Sequence, residues 1–195
     1  MTVSRPSYAA LQSGHRTPSD LVVRAAARAR TGRALDVGCG ALRNTEFLLG
    51  AGFAVDAVDR DPVVATMAAR MHHPRLRFVH ARIEQWSMPK ATYTLVAAIH
   101  VLPMLPPDVL GRVLASIRSA LVVDGLLGAT LLGDRDGWAG DHPLMTFVSR
   151  TGCADLLRGF EVRAQDEIEY DGLDATGAPK HWHVHRLLCS AHPTC

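Results

Sequence analysis

Lysine is almost missing from this chain: of 21 lysine and arginine residues, only Lys90 and Lys180 are lysines. The arginines are scattered, and the formal net charge is only +2. A basic track for nucleic acid or an anionic membrane surface is therefore not expected. The two lysines also leave no Tyr-x-x-x-Lys pair, which argues against one large class of nicotinamide-dependent oxidoreductases. Cysteine occurs four times, at 39, 153, 189 and 195, without a C-x-x-C pair. Neither a disulfide framework nor a zinc ribbon fits that spacing. No stretch approaches eighteen apolar residues, and the first twenty residues lack the apolar core of a signal peptide. A reduced cytoplasm, with no membrane partner, is the expected setting.

What remains is ordinary globular material. The 195 residues are 48% hydrophobic and 21% charged, enough for one domain with a single core. Residues 1–17 show no period and read as a mobile arm or lid, leaving 18–195 as the domain. Ser19 or Asp20 opens a helix reaching about Arg30, with Gly32 ending it. Strands are expected at 33–37, 54–58, 76–80, 93–99 and about 126–132. Asp61-Pro62 is a helix start with a capping carboxylate and proline at the first helical position. Val109, Leu110, Val113, Leu114, Ile117 and Leu121 recur at amphipathic helical spacing. Two last strands, 161–170 and 181–189, flank an open loop at 172–179. Alternating strands and helices predict an α/β sheet with helices on both faces, whose ligands bind beyond the carboxyl ends of the strands.

The chemistry is concentrated in Ala34-Leu-Asp-Val-Gly-Cys-Gly-Ala-Leu-Arg-Asn44 and Val55-Asp-Ala-Val-Asp59. Asp36 ends a buried strand, Gly38 and Gly40 form a tight turn, and Asp59 follows Gly40 by nineteen positions. Glycines let the main chain approach a ligand closely, and a strand-end carboxylate can accept from two ribose hydroxyls. A dinucleotide fingerprint would place a third glycine at Arg43. Asp36 would repel a pyrophosphate but suits a ligand carrying an amino group and a positive sulfonium.

At these residues the chain resembles the class I S-adenosylmethionine-dependent methyltransferases. Leu35-Asp-Val-Gly-Cys-Gly40 looks like their first motif, and Val58-Asp59 looks like their ribose-binding position. Gly38 to Leu49 with Gly52-Phe53 is similar to small bacterial enzymes of the tellurite-resistance type. The resemblance implies a single-domain Rossmann-like methyltransferase fold. Its seven-stranded, mostly parallel sheet would carry an antiparallel C-terminal strand.

It also implies a cofactor site. Asp36 would take the amino group, directly or through water, and the main chain of Gly38, Cys39 and Gly40 would face the methionyl part. Asp59 would hold the ribose, and Arg60 would lie along the adenine. The family usually has an acidic residue after the third strand, where this chain has Ala81-Arg-Ile83. Either the main chain of Arg82 and Ile83 reads the adenine, or Glu84 reaches in.

On the acceptor side, His100 follows the fourth strand and is the candidate catalytic group. Met104, Trp138, His142 and His183 join it as candidate acceptor-pocket residues. His181, His183 and His185 alternate along one strand. The outer two would be about 13 Å apart at roughly 3.3 Å per residue, and no third ligand is evident for a neighbouring pair, so no metal is expected. Methyl transfer from a sulfonium is an in-line displacement in which positioning does much of the work, so no catalytic triad is required. A small-molecule methyl acceptor is the expected partner, since no further domain is evident. The alternatives are a methyltransferase acting on RNA or protein and a non-catalytic S-adenosylmethionine-binding module. Ala98 to Met104 lacks the Asn/Asp-Pro-Pro-aromatic segment common among enzymes methylating exocyclic or amide nitrogens.

Overall fold

Short apolar runs bounded by turns dominate the first half of the chain; the central ones become strands buried on both faces, while the edge run 76–80 stays partly exposed. The computed structural model describes residues 17–191. The arm expected at residues 1–17 therefore lies, apart from Thr17, outside the described residues. Strands β1 (Arg33–Val37), β2 (Ala54–Asp59), β3 (Leu76–His80), β4 (Tyr93–Ala98) and β5 (Leu121–Gly133) run parallel. Strands β7 (Phe160–Leu173) and β8 (Pro179–Ala191) complete the order β3-β2-β1-β4-β5-β8-β7, with β8 antiparallel to both neighbours. This is the seven-strand path expected. An eighth strand, β6 (Phe147–Val148), adds two residues beside the end of β5.

Helices cover both faces. On one lie α1 (Asp20–Ala26), α2 (Arg43–Gly50) and α3 (Pro62–Met71), contributing Val22, Ala25, Leu48, Leu49, Val64 and Ala68 to a buried cluster. On the other, α4 (Pro107–Ala120) and α5 (Arg150–Leu156) supply Leu110, Val113, Leu114, Ile117 and Cys153. The α4 stripe is the one its spacing predicts as far as Ile117; Leu121, expected to continue it, is instead the first residue of β5. The start of α3 is also as expected: the Asp61 carboxylate accepts from the Val63 N–H at 2.9 Å, with Pro62 next to it.

Several boundaries differ from expectation; strand β5 starts at Leu121 rather than near 126, directly after α4. Helix α1 stops at Ala26, where the chain relaxes through a turn whose Arg28 N–H bonds Ala25. Gly32 does not end that helix; it sits against Thr94, where a Cβ would come within 2.8 Å of Cγ2. The expected open loop at 172–179 is instead a tight turn of five residues, 174–178. Asp174 Oδ1 accepts from the N–H groups of Thr176 and Ala178 and from the Thr176 hydroxyl, and Gly177 takes φ +84°. That side-chain turn lets β7 and β8 pair along their whole length, from Phe160↔Ala191 to Leu173↔Pro179. Pairing of β5 with β8 ends at Leu132↔Val184, so the hairpin overhangs the carboxyl edge of the parallel strands.

Candidate active site

Strand order reverses between β1 and β4, and the sequence motifs converge on the crevice beyond that point. Strand β1 leads directly into the glycine turn. The N–H groups of Gly38 and Cys39 both donate to Val58 O, which ties the turn to the end of β2. Gly38 has φ +63°, and a Cβ there would lie 2.5 Å from Val101 Cγ2; any larger residue would clash as well as strain the backbone. Gly40 has φ +50°, and a Cβ there would meet only Gly38 O, at 3.9 Å, so open space lies beside the turn.

Asp59 closes the other side. Its Oδ2 accepts from Gly40 N–H and its Oδ1 from Asp61 N–H, both at 2.9 Å. An ionised carboxylate has about four acceptor positions, so two remain. Asp36 is buried, and its Oδ2 accepts from the Thr45 hydroxyl at 2.6 Å. Burial raises its pKa to about 7 despite the Thr45 bond, and the negative charge of Asp59 adds to the rise. The Cys39 thiol is pushed up as well, by burial and by both carboxylates, and stays protonated.

The raised Asp36 pKa has a consequence for stability. The folded protein holds this proton more tightly than the unfolded chain, so the stability it confers is complete below about pH 4 and declines as pH rises towards 7. Asp36→Asn keeps an acceptor for Thr45 and removes the titration. Without ligand, the variant is expected to gain on the wild type as pH rises from about 4 to 7 and to be the more stable above that range. Paired urea melts across that range test it; parallel pH profiles for the two proteins would count against a buried, titrating Asp36.

Across the crevice, β4 ends in a strained residue. His100 adopts φ +55°, a left-handed conformation costly for a residue with a Cβ, and its N–H donates to Thr130 Oγ1 at 2.7 Å. Its pKa is lowered to about 4, by burial first and then by the charges of Arg43 and Lys180. The imidazole is therefore neutral at physiological pH.

The overhanging hairpin supplies a wall that the sequence does not announce. Lys180 Nζ lies 2.6 Å from both Asp136 oxygens, with side-chain exposures of 1% and 0%. Asp136 also accepts from the N–H groups of Trp138 and His183, pinning the loop after β5 to β8. The Lys180 ammonium stands 3.6 Å from the Trp182 ring centroid and 4.5 Å from that of Trp138. Trp182 meets His100 edge-on at 5.7 Å and stacks with Tyr170 at 6.2 Å, and Trp138 meets His142 at 5.3 Å.

Of the candidates read from sequence, Asp36, Gly38, Cys39, Gly40 and Asp59 therefore meet in one crevice. His100, Trp138 and His142 join through Trp182. Met104 is 41% exposed on a single 3₁₀ turn, Leu102–Met104, held near the β5 loop because Thr146 bonds Pro103 O and Leu105 O. Arg60 is exposed, and its carbonyl contacts His80 Nε2. Arg82 pairs with Glu84 at 3.4 Å, while Ile83 is buried in the core. His183 is fully buried on the face of β8 opposite Trp182. Its Nδ1 accepts from Arg135 N–H and its Nε2 lies 2.9 Å from Glu167 Oε1. Asp136, Tyr170, Lys180 and Trp182 are not among the site candidates read from the sequence. The available signal was Lys180, one of two lysines, beside a tryptophan in an alternating strand.

Residues 34–125 match the family model for a methyltransferase domain. Over that stretch the chain is similar to methyltransferase domains. The match spans the glycine turn, Asp59 and β4, and stops before the β7–β8 hairpin. Solved structures share the methyltransferase fold over nearly the whole chain. TehB from Haemophilus influenzae is 15% identical with a TM-score of 0.77, covering 94% of this chain and 66% of that one. The Burkholderia thailandensis 1,6-didemethyltoxoflavin-N1-methyltransferase, solved with 1,6-didemethyltoxoflavin and S-adenosylhomocysteine, is 22% identical with a TM-score of 0.68, covering 89% and 79%. The N-methyltransferase NodS from Bradyrhizobium japonicum WM9 is 15% identical with a TM-score of 0.70, covering 90% and 94%. No curated protein sequence matches the chain. Among the described residues, no helix is long and apolar enough to cross a membrane.

Proposed function

We propose that the methyltransferase domain moves a methyl group from S-adenosylmethionine to a small-molecule acceptor by in-line displacement. The observation that carries this reading is the Asp59 carboxylate, immobilised by two main-chain N–H groups beside an open glycine turn, with acceptor positions to spare for two ribose hydroxyls. Asp36 stands at the other end, where its charge favours a cationic amino acid group. The main chain at Gly38, Cys39 and Gly40 would face the methionyl part. Arg60, Arg82 and Ile83 are proposed for the adenine end, through main-chain atoms in the case of Arg82 and Ile83. When bound, the cofactor supplies an electrophilic methyl on a positive sulfonium.

On the acceptor side, the Trp182–Trp138 wall, with His142 and Met104 at its rim, would exclude water and orient the acceptor. An aromatic wall of this kind suits a small, flat or polarizable acceptor. The N-methyltransferase relatives named above share the fold, and acceptor chemistry is proposed on the pocket rather than on them. A cytoplasmic setting is proposed from the thiols: Cys39, Cys153 and Cys189 are free and buried.

His100 would act as a base for an acceptor that must lose a proton. It is neutral above about pH 4, and no charge has to be removed before it accepts. His100→Gln is expected to lower kcat about 100-fold, the lower end of general-base effects, with cofactor affinity within about twofold of wild type. The wild-type profile should lose activity only as pH falls below about 5 through this group. An unchanged kcat would remove the base role. The overall reading is tested by incubating the purified protein with methyl-labelled S-adenosylmethionine and a size-fractionated extract. Label in the small-molecule fraction is expected; label confined to RNA or protein would overturn the choice of acceptor.

A further inference from the structure

The geometry points to a binding site for a divalent transition-metal ion, of the zinc class, at Glu167, His183 and His185 on the face of the hairpin away from Trp182. One ligating atom from each residue lies within 4.8 Å of the others. Glu167 of β7 stands directly opposite His185 in the antiparallel ladder, and His183 precedes His185 by two positions along β8, on the same face. The two imidazole centroids are 5.0 Å apart, and both histidines are fully buried. Along β8 alone a third ligand is missing. Strand pairing supplies it.

One further feature singles out this cluster, a buried orphan. His185 Nε2 lies 3.0 Å from Val148 O, which can only accept, so the proton sits on Nε2. That leaves Nδ1 as a bare lone pair, and it is buried without a partner among the described residues. A buried polar atom left unsatisfied calls for a water or an ion. A histidine whose one ring N–H binds a backbone carbonyl while the other nitrogen stays free is oriented as metal-ligating histidines are. Gly133 fixes the ring: a Cβ there would fall 2.0 Å from His183 Nδ1, so only glycine admits the imidazole at this position.

At present Arg135 clamps the cluster. Its Nη2 lies 3.0 Å from Glu167 Oε1 and 3.2 Å from His183 Nε2, and Arg150 Nη1 lies 3.2 Å from Glu167 Oε2. Glu167 is held ionised, its pKa lowered to about 2 by His183 first and Arg135 next. Both arginine side chains are more than half exposed and can swing out. On loading, the His183 proton moves from Nε2 to Nδ1. The Arg135 N–H gives up its bond there, and the Asp134 carboxylate, 3.7 Å away, becomes the acceptor. Two imidazole nitrogens, one carboxylate and an open fourth position suit Zn²⁺ or Co²⁺ better than a hard cation. Such an ion would tie β7 to β8 at the root of the overhang.

The test uses the full chain, stripped with chelator and titrated with Zn²⁺ in a calorimeter and with Co²⁺ by visible absorption. One ion per chain is expected, with Co²⁺ bands of a four- or five-coordinate site and a higher Tm with Zn²⁺. Glu167→Gln and His185→Gln should each weaken binding at least tenfold, and the exposed His72→Gln should not. Should His185→Gln fail to fold, the part-exposed Glu167→Gln decides alone. Absence of binding to wild type would leave the Arg135 clamp as the cluster's whole purpose and overturn the site. Binding undiminished in Glu167→Gln would do the same. None of these readouts depends on methyl transfer.

Discussion

Asp59→Ala is expected to weaken S-adenosylmethionine binding at least a hundredfold while the protein stays folded. Charge-assisted hydrogen bonds to two ribose hydroxyls contribute about 1.5–3 kcal/mol each. Losing both removes roughly 3–6 kcal/mol, where each 1.4 kcal/mol is tenfold in affinity. The variant also releases the N–H groups of Gly40 and Asp61, which Asp59 now holds. Both residues are part-exposed, so water can replace the carboxylate there and the fold survives, but the glycine turn loses its fixed pose. The two effects push the same way. Calorimetric titration of the variant, beside a thermal melt to confirm folding, measures the outcome. Affinity within a few-fold of wild type would remove the ribose assignment and with it the main support for the proposed cofactor.

The second large effect belongs to the hairpin. Lys180→Met should destabilise the protein by about 3–5 kcal/mol, because it leaves the Asp136 carboxylate buried and uncompensated. Burial already pulls the Lys180 pKa down, opposed by its bond to Asp136 and by the charges of Asp136 and Asp174. The attraction is offsetting desolvation rather than adding a large surplus. Adding Asp136→Asn should therefore recover more than half of the loss. The amide carries no charge and keeps one acceptor for the two N–H groups of Trp138 and His183. Urea denaturation of wild type, single and double variants reads both numbers. A loss under about 1 kcal/mol in the single variant would mean that water reaches the carboxylate, contrary to its burial.

These two sites were not equally legible beforehand. Asp36, Gly38, Gly40 and Asp59 could be read directly, because strand, turn and strand-end carboxylate follow one another along the chain. Helix α4 and the Asp61 cap were legible for the same reason: periodicity and capping are local. The end of α1 was not, because alanines continue the helical pattern past Ala26 while the chain must turn to enter β1. The hairpin turn was misread as open because Gly, Thr and Pro suggest a loose loop. The Asp174 side chain instead collects three hydrogen bonds and closes it.

The alternating histidines show the limit most clearly. Read along one strand, His181 and His185 are too far apart to share an ion. The structure adds Glu167 from across the ladder and brings the rings of His183 and His185 together. It also turns His183 away from the face where Trp182, overlooked in the alternation, meets His100.

Residues close in the chain thus established the α/β alternation and the glycine-turn half of the crevice. Glycine conformations, caps and strand-end carboxylates depend on neighbours a few bonds away. Only the assembled sheet decided the Trp138–Trp182 wall and the His–Glu cluster. Asp136 meets Lys180 across 44 positions, and Glu167 meets His183 across 16. Both meetings depend on the register of β8 between β5 and β7, and a slip of one residue would turn every one of these side chains to the opposite face.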